Sequence, residues 1–225
     1  MLKSGIDQDK IIEMFANASA SGTDQLRKGV QQATLAALQG RELTLKNIRG
    51  VLKTVAESAA AGAAKNKLPN VDVEALLDKA VTGMDEALLK AVEANRVALQ
   101  QLVNQGADLR EKHLKKALSD LDAMEDSFIA AIKKAAEAAG AQAGQAWAPV
   151  LEKLQAGGTL SGAKAATTAE QFLGQMQTAM RDSRAAGLKA AQTLAESYAA
   201  LVSGVLIGMS DALTQGQPKA AAKKK

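Results

Sequence analysis

Residues 72–102 read DVEALLDKAVTGMDEALLKAVEANRVALQQL. Along them Leu77, Val81, Met84, Leu88, Ala91, Asn95, Ala98 and Leu102 recur at alternating steps of four and three. A seam of that spacing, held over about four heptads, belongs to a long helix packed against other helices. Asp72 stands just before it as an N-cap candidate. Pro69 marks a break upstream, because proline disfavours helical geometry at the residue before it.

The same period runs outward in both directions. Ile11, Ile12 and Phe15, then Leu26, Val30, Ala33 and Ala37, then Ile48, Leu52, Val55 and Ala59 give helical faces between residues 7 and 66. Ser21-Gly22-Thr23 and Gly40-Arg41 interrupt them. Downstream the phase slips at Asn104-Gln105-Gly106-Ala107, where either a tight helical hairpin or a stutter in one long helix fits. Asp108 and Glu111 have capping-box spacing there. Leu114, Ala117, Leu121, Met124, Phe128, Ala131 and Ala135 form the next stripe. Gly140 to Pro149 weakens the helix, and Gly157 to Gly162 reads as a loop. Thr167 and Glu170 form a second capping box, from which a last helix is expected over about 168 to 214.

Composition agrees with this pattern. Of 225 residues, 48 are Ala and 27 are Leu, against three Pro and five aromatic residues. Strands draw on β-branched and aromatic side chains, whereas Ala, Leu, Gln, Lys and Glu are strong helix formers. The expectation is an all-α fold, an elongated antiparallel bundle of roughly four to six long, coiled-coil-like helices. Four segments follow: 1–68, an N-terminal helical segment; 69–156, a central hairpin or long helix; 157–217, a long amphipathic helix; and 218–225, a short, disordered basic tail.

The net charge of +4 equals the four positives of Lys219, Lys223, Lys224 and Lys225. A body that is neutral in sum argues against a nucleic-acid-binding domain. The tail allows at most weak, non-specific contact with nucleic acid or an anionic membrane. With no cysteine, disulfide and thiolate chemistry are excluded. The N-terminus shows no apolar signal-like run. The charge-free stretch from Ser197 to Ser210 is shorter than the roughly twenty residues that a spanning helix needs.

No catalytic, cofactor-binding or metal-binding residue is assigned. His113, the single histidine, lies on a charged helix face with no nucleophile beside it. Asp120, Asp122, Glu125 and Asp126 lack the turn glycine of a calcium loop and read as a solvated face. Gly157 to Gly162 has phosphate-loop spacing, but Ala163 stands where the lysine is required. Trp147, the lone indole, reads as a packing anchor.

The C-terminal helix carries the binding candidates. Leu194, Tyr198, Leu201, Val202, Val205, Leu206 and Met209 give it a broad apolar face for a surface or partner. Ala200, Gly204 and Gly208 form a small-residue stripe suited to close helix packing. Lys219, Lys223, Lys224 and Lys225 form the electrostatic tail.

Thr167-Thr168-Ala169-Glu170-Gln171-Phe172-Leu173, Gln175-Met176-Gln177, the Ala/Gln/Ser-rich helix through Tyr198 and the closing Pro218-Lys219-Ala220-Ala221-Ala222-Lys223-Lys224-Lys225 resemble bacterial phasins, the proteins associated with polyhydroxyalkanoate granules. The resemblance implies a cytoplasmic, non-enzymatic helical protein without cofactor that coats a hydrophobic polymer granule and self-associates as a homo-oligomer. Two alternatives stand beside it: a structural or adaptor coiled-coil oligomer, with other helical subunits as partners and no polymer binding, and an amphipathic protein of a membrane surface.

Overall fold

Asp72 begins the longest helix as the sequence requires. Its carboxylate accepts from the backbone N–H of Glu74 at 2.9 Å and of Ala75 at 3.4 Å, meeting the first free donors of the helix. The computed structural model describes residues 6–19, 22–39, 44–68, 71–107, 111–182, 198, 200–207 and 209, the side chains of 141–143 and 177–182 apart. Among the described residues the regular structure is entirely helical. It comprises α1 (Gln8–Ala16), α2 (Thr23–Leu38), α3 (Leu45–Lys65), α4 (Val73–Asn104), α5 (Lys112–Asp122), α6 (Met124–Ala138), α7 (Gly140–Gly157) and α8 (Leu160–Asp182). A C-terminal segment is helical at 198, 200–207 and 209.

The helices form a bundle around α4. α2 packs along α4, α1 on α3, α3 on α6, and α8 on both α4 and α5. Every residue of the 77–102 seam is buried. One hydrophobic cluster runs from Ile11 and Phe15 in α1, through α4, to Trp147, Phe172, Val202 and Leu206. The first three sequence segments therefore share a core, and Trp147 is fully buried within it.

Two features allow the helices to approach so closely. At Gly62 a Cβ would stand 2.5 Å from the carbonyl oxygen of Ile12. At Gly83 it would stand 2.5 Å from that of Arg27. These glycines set the α1–α3 and α2–α4 crossings. Asn66 then fastens the first crossing, its side-chain amide donating to the carbonyls of Phe15 and Ala18, both at 2.9 Å.

The phase slip after Asn104 is a helix end and not a stutter. Gly106 N donates to Val103 O, and Ala107 N to Leu102 O, both at 2.9 Å. This pair of bonds is a Schellman ending, and Gly106 supplies the left-handed φ of 85° that it needs.

Four expectations are corrected. Glu111 is extended (φ −53°, ψ 138°) and precedes α5 without a side-chain cap, so it is not the third residue of a helix capped at Asp108, which lies outside the described residues. Thr167 and Thr168 do not open the last helix. Their hydroxyls donate back to Ala163 O and Lys164 O, at 2.9 and 2.8 Å, inside α8. The loop expected over Gly157–Gly162 contracts to Gly158 and Thr159. Helices outnumber the expectation because the chain turns at Ala123 and at Ala139–Gly140, where Gly140 has φ 76°.

Candidate functional site

The C-terminal segment has two unlike sides. Tyr198, Val202 and Leu206 are spaced by four and share one helical face. Val202 and Leu206 are buried in the core, and Tyr198, Leu201 and Val205 are half-buried against it. Ala200, Gly204 and Ile207 face outward, Ile207 being 43% exposed. Met209 is half-buried. A Cβ at Gly204 would meet nothing within 4 Å. The close packing that Ala200 and Gly204 permit is thus not used within the described part of the chain. Leu194, Gly208, Lys219, Lys223, Lys224 and Lys225 lie outside the described residues.

A polar pair ties this segment to α4. The Tyr198 hydroxyl donates to Oδ1 of Asn95, while Asn95 Nδ2 donates to Ala91 O at 2.9 Å. Asn95 is buried within the apolar seam, where an unpaired amide is costly. Burial pushes the Tyr198 hydroxyl well above its ordinary pKa, and the Asp120 carboxylate adds to the shift, since both disfavour a phenolate.

A second polar cluster lies where α7 turns into α8. Asp85 of α4 accepts from Leu160 N at 2.8 Å and Ser161 N at 2.9 Å. Glu125 of α6 accepts from Thr159 N at 2.7 Å. Thr159 Oγ1 accepts from Gly162 N at 2.9 Å. The donors at the start of α8 are therefore occupied by groups of the chain itself, and the arrangement is structural. Glu125, expected on a solvated face, is a long-range cap.

The remaining candidates sit apart from one another. His113 is exposed on α5. Asp120 pairs with Lys116 at 2.6 Å. Among the described residues no group of three His, Cys, Asp or Glu side chains is placed to hold a metal ion. Glu93 accepts from Arg96 Nε through both carboxylate oxygens at 3.0 Å, and this bonding holds its carboxyl below the ordinary range. Lys153 reaches Asp78 at 2.7 Å from α7 to α4. Arg27 of α2 pairs with Glu86 of α4. A groove of about 310 Å³ between α1 and α2 is lined by Met14, Gly29 and Ala33 among others. The carboxylate of Asp7, in its lining, is engaged as the α1 cap.

A protein-family model matches residues 1–215 of the chain. The chain belongs to DUF6781, a family of unknown function. Lys219 and Lys223–Lys225 lie beyond the DUF6781 match. No curated protein and no solved structure matches the chain. Among the described residues of this DUF6781 member, no helix is long and apolar enough to cross a membrane.

The sequence counted Asn95 in the apolar seam but offered no partner for it, and it gave Asp85 no role. The partners of Asp85 lie 75 and 76 residues away, beyond any local pattern. One signal was available for Asn95: a lone amide in a heptad seam asks for a buried partner.

Proposed function

We propose that this DUF6781 protein is a non-enzymatic helical coat for hydrophobic surfaces, associating with polymer granules in the manner of the phasins it resembles. The adsorbing element is the segment from Leu194 to Met209. One observation carries this: Val202 and Leu206 hold the segment to the core, while Ile207 is exposed and Leu201, Val205 and Met209 are only half-buried. The described residues of the segment have more apolar surface than the bundle covers. An apolar polymer gains roughly 25 cal/mol per Å² of that surface. The charged faces of the other helices stay in water, and the setting is the cytoplasm, where such granules form.

A second function is favoured by the outward Ala200 and Gly204. Small residues four apart admit a second helix at close range, which fits a structural or adaptor homo-oligomer. Co-sedimentation with polyester particles separates the two. A coat pellets with the particles and stays bound at high salt, because the contact is apolar. A stable oligomer that ignores particles and liposomes alike supports the adaptor function.

A further inference from the structure

We propose that residues 198–209 form a detachable strap, latched to α4 by the Tyr198–Asn95 hydrogen bond, and that an apolar polymer surface competes with the bundle for it.

The chemistry of the latch distinguishes the strap from an ordinary core helix. Asn95 interrupts a seam whose other members are apolar. A leucine there would accept an apolar helix in several registers. An amide accepts one, in which the Tyr198 hydroxyl meets Oδ1. Single buried amides in helical seams specify register at a cost in affinity. The strap is therefore held in a defined place without being held tightly.

The open state is tolerable for the same reason. When the strap leaves, water reaches Asn95 and replaces the tyrosine hydroxyl. The amide is left unpaired only if its seat closes dry. The strap itself contains no charge between 198 and 209. Its outward Ile207 and the partly buried Leu201 and Val205 gain cover on an apolar surface that the bundle does not give them. Adsorption thus draws on contacts absent from the docked state, which is the differential affinity that a population shift requires.

Competition by polymer rests on the coat function proposed above, whereas the latch does not. Hydrogen exchange read by mass spectrometry tests them separately in the full chain. Tyr198→Phe removes the donor and keeps the ring. Exchange in the peptide covering 198–209 is expected to rise about threefold to tenfold, the factor for one net hydrogen bond, with α1 to α3 unchanged. Asn95→Ala should produce a similar local rise, and the double variant should add little to either. Unchanged exchange in Tyr198→Phe, or an equal rise in α1 to α3, would overturn the latch. Adsorption to polyester particles is expected to increase in Tyr198→Phe by the same factor as exchange. A local rise in exchange with no adsorption by either protein upholds the latch and ends the coat function. Adsorption that is identical in both proteins despite a local rise in exchange overturns the competition.

Discussion

Asp85 and Ser161 are joined by a hydrogen bond from the Ser161 backbone N–H to Oδ1, at 2.9 Å. The other oxygen of the same carboxylate accepts from Leu160 at 2.8 Å. One side chain of α4 thereby closes the first turn of α8, a helix that begins 75 residues later. A carboxylate at a helix N-terminus also meets the positive end of the helix dipole. Asp85 is the element that fixes where the α7–α8 turn sits on the bundle.

Asp85→Ala strands two backbone donors in a site where Asp85 itself is only 8% exposed. Loss of about 2–4 kcal/mol is expected, since bonds to an ionised partner are each worth about 1.5–3 kcal/mol and caps about 1. Asp85→Asn keeps an acceptor oxygen and should lose less. Urea unfolding with an unchanged m-value checks both. Equal stability of Asp85→Ala and the unaltered protein would show that water satisfies those donors.

Two glycines of α3 are expected to respond in opposite directions to alanine. At Gly62 a Cβ meets Ile12 O and Phe15 Cβ, each at 2.5 Å. Backbone of α1 must move, and overpacking of this kind costs about 1–3 kcal/mol. At Gly50 nothing lies within 4 Å, and alanine gains about 1 kcal/mol of helix propensity. Gly62→Ala should lower the thermal midpoint and Gly50→Ala should raise it. A stabilised Gly62→Ala would mean that α1 can shift off α3 at little cost.

Much of the bundle could be read from the chain because its causes are local. The 77–102 seam and the Asp72 cap depend on residues within a few positions of one another. The start of α8 could not be read in this way. Thr167 and Glu170 have capping-box spacing, yet the hydroxyls of Thr167 and Thr168 bond back along the helix. The functioning cap, Thr159, is followed at the third position by Gly162, and the acid groups arrive instead from Asp85 and Glu125. Periodicity also placed Tyr198, Val202 and Leu206 on one face. It did not say that this face turns inward, because that depends on Asn95, 103 residues away.

Lys219, Lys223, Lys224 and Lys225 should carry whatever affinity the protein has for anionic polymers. Four phosphate contacts give a log–log salt slope of about −3.6 on duplex DNA, too shallow for tight binding by a monomer. Weak, salt-sensitive retention of duplex DNA or anionic liposomes is expected, and deletion of 218–225 should abolish it. Retention that survives the deletion would show that the body, neutral in sum, carries a basic face of its own.

Tyr198 is the sole tyrosine of the chain, so tyrosinate absorbance reports on the latch alone. Burial raises its pKa in the folded state, and the Asp120 carboxylate acts in the same direction. In the unfolded chain it titrates near the ordinary value of about 10. Above that pH the unfolded state binds fewer protons than the folded one, and stability falls as pH rises. The contribution of the docked tyrosine is therefore complete below about pH 10 and is lost as pH climbs through the raised folded value. A spectrophotometric titration should show tyrosinate appearing later than in a denatured control, and together with release of the strap. Asn95→Ala should bring its onset back toward the control, because the strap then opens more readily and exposes the hydroxyl. Coincident titration of folded and denatured protein would place Tyr198 in water, and with it the latch would be lost.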